Sequence, residues 1–328
     1  MELDDYLQVD DDIDLLQEML DCLGKSDGIF HWTNYWDSKC NKLVGYIREY
    51  GLSDYRRIRA PKHTAGHYFM SFGAVDHINN ENVDEVIHRV RAEQLDSAIS
   101  FDFLPASRVG NPEGFLYNDV FYTVSWLYYY LRYNYVTRFF SPENKTIVEI
   151  GSGSGKQAHL LKLAHPSATI ILFDIPPQLY VANQYLKAVL PGSTVAFEDT
   201  RNVRSLNDLP KGKIYLFGNW EIPLLIDFKF DLLWNAASFQ EMEPEVVEFY
   251  LQNCRGASNV YLMQAMAGQT LAPQAGMGGV LRATTIDTYR AALERFEILD
   301  ISPATFLPID PCPNPYSESF WTVKCANN

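Results

Sequence analysis

The chain has 328 residues, 47% of them hydrophobic, and a formal net charge of −14. That length and apolar content suffice for a large core, and for a catalytic domain joined to a second region. The acidic balance leaves no Lys/Arg stripe to displace counterions from a phosphate backbone, so a nucleic-acid partner is not expected, and a neutral or cationic small acceptor is.

Five scattered cysteines without a C-x-x-C pair suggest neither a disulfide framework nor a zinc site. The acidic N-terminus carries no basic, apolar-cored leader, and no run approaches a membrane span, so a cytoplasmic protein is expected.

From the start of the chain, Asp11 and Asp12 precede an amphipathic helix with Ile13, Leu16, Met19, Leu20 and Leu23 on its apolar side, closed by Gly24. A second helix runs from about Asn34 to Tyr50, and a third, opened by Asn80 or Asn82, carries Val83, Val86, Ile87 and Val90. Between them His63, His67 and His77 lie among glycines and aromatics. His67 and His63 are candidates for a general base.

The turn-rich segment from Arg108 to Val120 leads into an aromatic helix, FYTVSWLYYYLRYNYVTRFF, from Phe121. Most of its rings are expected in packing or at a subunit face, and a few against a sugar or aromatic acceptor. Pro142 and Asn144 mark a boundary. Residues 1–142 are expected to form a mainly helical region that lids a site or mediates homo-oligomerisation, and residues 143–328 the catalytic domain.

The organising stretch starts at Thr146, TIVEIGSGSGK: a buried strand, a loop with Gly151, Gly153 and Gly155, a helix ending near Pro166, and a second buried strand reaching Asp174. This is the opening β-α-β of a doubly wound sheet, whose ligand lies beyond the carboxyl ends of the strands. A dinucleotide fingerprint would need glycine at position 156, which is Lys156. A P-loop would need glycine at 150 and Ser or Thr at 157, which are Ile150 and Gln157.

Glu149 would repel a pyrophosphate but suits an ammonium or sulfonium, and Asp174 can accept from ribose hydroxyls. Acid, G-x-G-x-G turn and second acid together resemble motif I and the acidic strand end of class I methyltransferases. The resemblance implies a Rossmann-like seven-stranded α/β sheet with its last strand antiparallel, binding S-adenosyl-L-methionine.

Further strands are expected at Lys213–Phe217, Phe230–Trp234, Asn259–Met263, Phe296–Ile301 and Phe320–Lys324, with a short one from Thr194, and helices between them. The elements FDLLWNAASFQEM, FDIPP and SESFWTVK resemble a bacterial family of sugar O-methyltransferases. That likeness implies transfer of a methyl group to a sugar hydroxyl in polysaccharide or glycosylated natural-product synthesis.

Two alternatives stay open: a phenolic or carboxylate acceptor, and a non-catalytic methyltransferase-like scaffold. Glu241 is the first candidate for general base, after the strand whose end would face the methyl group, with a helix N-terminal charge as its other reading. Asn219 and Trp220 are expected at the adenine, Pro176 with Pro177 at the ribose wall, and Asn235 at the donor's methionine end or the acceptor. No D-D or D-x-D pair falls at a strand end of the catalytic half, so no metal is expected.

Overall fold

The computed structural model describes residues 9–52, 55–56, 83–304 and 315–324. His63, His67 and His77 lie outside these residues.

Asp12 opens α1 (Ile13–Gly24), its carboxylate accepting from the Leu15 amide at 3.0 Å and so satisfying one orphan donor of the first turn. Helices α2 (Asp37–Tyr50) and α3 (Val83–Glu93) follow. The aromatic segment departs from expectation at its start. Phe115–Tyr117 (β1) and Val120–Tyr122 (β2) form an antiparallel hairpin, and the helix, α4, begins only at Val124 and ends at Val136.

Asn118 and Asp119 both have positive φ, 48° and 63°, as a two-residue primed turn requires. Thr123 then caps α4 through its hydroxyl, accepting from the Trp126 amide at 3.1 Å. The short Asn-Asp turn lacks the usual glycine, which is why the hairpin is hard to see in the sequence.

From Thr146 onward the chain alternates strand and helix. It runs β3 (Thr146–Ile150), α5 (Lys156–Ala164), β4 (Thr169–Asp174), α6 (Pro176–Val189), β5 (Thr194–Val195), α7 (Phe197–Thr200), β6 (Ile214–Gly218) and β7 (Phe230–Ala236). The remainder is α8 (Pro244–Asn253), β8 (Ala257–Gln264), α9 (Ile286–Ala292), β9 (Phe296–Pro303) and β10 (Ser317–Val323).

These strands form one sheet in the order β5-β6-β4-β3-β7-β8-β10-β9. All eight lie where strands were expected, the short one from Thr194 included as the two-residue edge strand β5, so the sheet has eight strands rather than the seven implied. All pairings from β5 to β8 are parallel, whereas β10 is antiparallel to both its neighbours. The chain therefore has a doubly wound, mostly parallel α/β sheet whose last strand is antiparallel, with a helical N-terminal region.

Successive side chains of a strand face opposite sides of the sheet. Ile147, Ile170, Leu172, Ile214, Leu232 and Trp234 face one core, which they share with Leu16, Met19, Leu43, Ile47, Trp126 and Leu127 of the N-terminal helices. Val148, Ile150, Ile171, Phe173, Phe217 and Leu233 face the other, against Val247 and Tyr250 of α8. Burial on both faces explains why the strands read as unbroken apolar runs. Two long-range bonds tie the N-terminus to α6: the Asp12 amide donates to the Tyr180 hydroxyl at 2.8 Å, and the Gln184 side chain donates to the Asp10 carbonyl.

Candidate functional site

The carboxyl ends of β6, β4, β3 and β7 open onto a cavity of about 270 Å³. Its floor is the glycine loop. Gly151 has φ of 74°, and a Cβ there would stand 2.2 Å from Ser238 Oγ, so only glycine fits between β3 and the β7 loop. Asn235 fixes that approach, its amide donating to the Ile150 carbonyl at 2.7 Å and to Ser238 Oγ at 3.2 Å.

Beyond it Ala237 holds φ at 62° while its amide donates to the Met263 carbonyl at 2.7 Å. A non-glycine residue in this left-handed region is strained backbone held by its surroundings, here in the cavity wall.

Asp174 is buried at the end of β4. Its carboxylate accepts from the Gly153 amide (2.7 Å), the Ile175 amide (2.7 Å) and the Ser152 hydroxyl (3.4 Å). Burial pushes its pKa up to about 7 despite those three bonds. A carboxylate has about four acceptor sites, so one remains for a ligand hydroxyl, and the long Ser152 bond is the one that can give way to a second.

Glu149, on β3, lines the cavity, and its Oε2 has no hydrogen-bond partner among the described residues. Burial holds its carboxyl well above the usual range, opposed by the positive charge of Arg132. Asn219, at the end of β6, donates to the Phe30 carbonyl (2.7 Å) and the Tyr250 hydroxyl (3.0 Å), leaving its buried Oδ1 without a partner. Orphaned buried acceptors of this kind mark where ligand donors fit.

Glu241 lines the same cavity. Burial pushes its carboxyl up to about 8, against the Lys39 charge and hydrogen bonds from Tyr35 and Trp36, with Asp174 adding to the rise. The Lys39 ammonium sits 3.5 Å from the centre of the Tyr35 ring, and burial lowers its pKa. The Thr33 hydroxyl donates to the Glu241 carbonyl at 3.0 Å, fastening this cluster to the segment that leads into α2.

The expected site residues thus divide. Glu149, Gly151, Gly153, Asp174, Asn219 and Glu241 border one cavity. Asn235 stands behind it, fully buried, as the tie between loops. Pro176 is the first residue of α6, where its missing N–H costs nothing, and is not in the cavity wall. Trp220 turns away: its ring covers Gly218, where a Cβ would meet it at 2.2 Å, and meets Phe197 edge-on at 6.0 Å.

Sequence reading did not single out Trp36, Arg132, Tyr250 and Tyr316, which complete the wall with Tyr129 and Gln178. The one available signal was an arginine inside an otherwise aromatic run. Among the described residues no group of three or more His, Cys, Asp or Glu could hold a metal, and no helix is long and apolar enough to cross a membrane.

No family profile matches the chain, and no curated protein does. Among solved structures it is similar to the pyocyanin biosynthetic protein PhzM at 14% identity and a TM-score of 0.42, over 94% of this chain and 73% of that one. It is also similar to magnesium protoporphyrin IX methyltransferase from Synechocystis with bound SAH, at 12% identity and a TM-score of 0.40 over 58% and 79% of the two chains. A SAM-dependent methyltransferase from Aquifex aeolicus gives 12%, 0.39, 59% and 89% in the same order. Scores this low carry no argument about activity, so the functional reading rests on this chain's own residues.

Proposed function

We propose that this protein is an S-adenosylmethionine-dependent O-methyltransferase that methylates a hydroxyl of a small sugar or glycoside. The observation that carries the reading is the convergence of Glu149, Asp174 and Asn219, from the ends of three parallel strands, on one cavity floored by a glycine loop. The orphaned Glu149 Oε2 and Asn219 Oδ1 fit an ammonium group and an adenine amine, and Asp174 fits a ribose hydroxyl.

Support for a sugar acceptor comes from the wall opposite the glycine loop. Trp36, Tyr129 and Tyr316 line the cavity with aromatic surface suited to the apolar side of a pyranose, and Glu241 adds a carboxyl group for its hydroxyls. When bound, the donor supplies an electrophilic methyl group: a C–O bond to the acceptor forms as the C–S bond of the sulfonium breaks.

The chain's own contribution is positioning and proton transfer. The glycine loop and Asp174 fix the nucleoside, which sets the line of approach. Glu241, raised toward neutrality by burial, takes the hydroxyl proton onto its carboxylate. Lys39 and Tyr35 hold that carboxylate in place. The N-terminal region covers the donor site through Trp36, Tyr129 and Arg132.

A phenolic acceptor is the second reading, favoured by the same aromatic walls. The two are separated by assaying methyl transfer from labelled donor to a panel of free glycosides and of phenols. Turnover confined to glycosides supports the sugar reading, and turnover confined to phenols overturns it.

A further inference from the structure

A side-chain amide has a donor end and an acceptor end, and a backbone N–H, which can only donate, decides which end faces it. Three such side chains lie fully buried behind the cavity: Asn235 on β7, Gln240 in the turn after it, and Gln264 at the end of β8. Each is fixed by a backbone amide. Phe239 N–H donates to Asn235 Oδ1 at 3.2 Å, Gln240 N–H to Gln264 Oε1 at 3.2 Å, and Ala265 N–H to Gln240 Oε1.

The directions of the remaining bonds follow. Asn235 Nδ2 donates to the Ile150 carbonyl beside the glycine loop, Gln264 Nε2 to Asn235 Oδ1, and Gln240 Nε2 to the hydroxyl oxygen of Tyr316 at 2.6 Å. A chain of amides thus runs from the glycine loop to a phenol that lines the cavity. Because Gln240 can only donate at that end, the Tyr316 oxygen accepts there, and its one proton is directed away from Gln240. Tyr35, which bonds the Glu241 carboxyl, lies within electrostatic reach of Tyr316, so the Tyr316 hydroxyl stands at the Glu241 end of the cavity.

We propose that Tyr316 is a specificity-determining residue, held by Gln240 so that it donates a hydrogen bond to a second oxygen of the acceptor, next to the hydroxyl that Glu241 deprotonates. This rests on the O-methyltransferase reading above and deepens it, since the favoured acceptor then carries two neighbouring oxygens, as a pyranose diol does. A phenol free to rotate gives or takes a hydrogen bond equally well. The buried amides remove that choice, and a satisfied buried network is rigid. A site built to give a hydrogen bond rejects a ligand that lacks the partner atom far more strongly than an apolar pocket rejects a methylene group.

The probes are the methyl pyranosides of glucose, mannose and galactose, with product analysis locating the methylated oxygen in the one turned over fastest. That glycoside is then compared with its analogues deoxygenated at either neighbouring carbon. Wild-type protein should prefer the parent over one of the two analogues by about ten- to a hundred-fold in kcat/KM, the size expected when a buried donor loses its partner. Tyr316→Phe should bring that preference within about two-fold of unity, chiefly through KM, with S-adenosylhomocysteine affinity by calorimetry within about two-fold of wild type as the sign of an intact fold.

Gln240→Met should lower the preference in part, and in the Tyr316→Phe background it should change it by less than about two-fold, because the two residues act through one bond. A merely structural Gln240 would instead slow parent and analogue alike. An unchanged preference in Tyr316→Phe would overturn the proposal while leaving the methyltransferase reading in place, and so would wild-type indifference to both deoxygenations. Turnover of none of the glycosides by wild-type protein would overturn it together with the sugar reading.

Discussion

The two walls of the cavity are built differently. One wall is made by the strand ends: Gly151 and Gly153 shape the loop backbone, and Asp174, paired with Gly218 in the sheet, holds that loop by accepting from the Gly153 amide. The opposite wall is made by side chains that meet from Trp36, Tyr129, Arg132 and Tyr316, positions separated by most of the chain length. Backbone-built sites tolerate few substitutions, while side-chain walls can be re-cut for a different guest. On the proposed reading, donor recognition falls to the first wall and acceptor choice to the second.

The most severe separation of the two should come at Glu241. Glu241→Gln is expected to lower kcat by about 10²- to 10³-fold, the usual size of a lost general base, with S-adenosylhomocysteine affinity within about two-fold of wild type. Unaltered turnover would remove it as the base. Trp36→Ala should raise the acceptor KM by about ten-fold, since it removes a stacking face, and leave donor affinity in place.

Gly151→Ala breaks the donor wall itself. A Cβ at φ 74° against Ser238 is expected to cost about 1–3 kcal/mol of stability and to weaken donor binding, read by thermal unfolding and titration.

The pH dependence sharpens the picture from another side. Asp174 and Glu241 have folded-state pKa values raised to about 7 and about 8, above the unfolded carboxyl values. The folded state therefore holds more protons than the unfolded one between about pH 4 and pH 8, by this linkage. The stability these two groups contribute to the ligand-free protein falls as pH rises through that window. Bound sulfonium favours the ionised carboxylates, so S-adenosylmethionine affinity is expected to rise from about pH 6 to about pH 8 under the same linkage, with proton release on binding. Titrations in buffers of different ionisation enthalpy measure that release. The smallest effect is expected at Trp220→Phe, which leaves donor affinity within about two-fold because the ring packs on Gly218 and Phe197, away from the cavity.

The strand-end wall of the cavity was legible in the sequence because its information is local: glycine spacing, an acid before the loop, and an acid ending the next strand. Asn219 was placed by the same logic of strand ends. Trp220, the adjacent residue, was not, because which way a side chain turns after a strand depends on what it packs against, here a glycine that only packing reveals. Pro176 marks a helix start rather than a wall for a similar reason. The opposite wall left almost no local trace. Trp36 and Tyr316 meet only through the tertiary fold, and Arg132 looked like a gap in an aromatic stripe. The hairpin before α4 was hidden because Asn118 and Asp119 make the turn that glycine usually signals.

The central claim is that the strand-end cavity holds the adenosyl donor. Calorimetric titration of S-adenosylhomocysteine into wild-type protein and into Asp174→Ala addresses it directly. The expected result is saturable binding at one site per chain in the wild type and a loss of about 100-fold in the variant, from the ribose hydrogen bond and the glycine loop it holds. Absence of binding to the wild type, or equal affinity in both proteins, would contradict it.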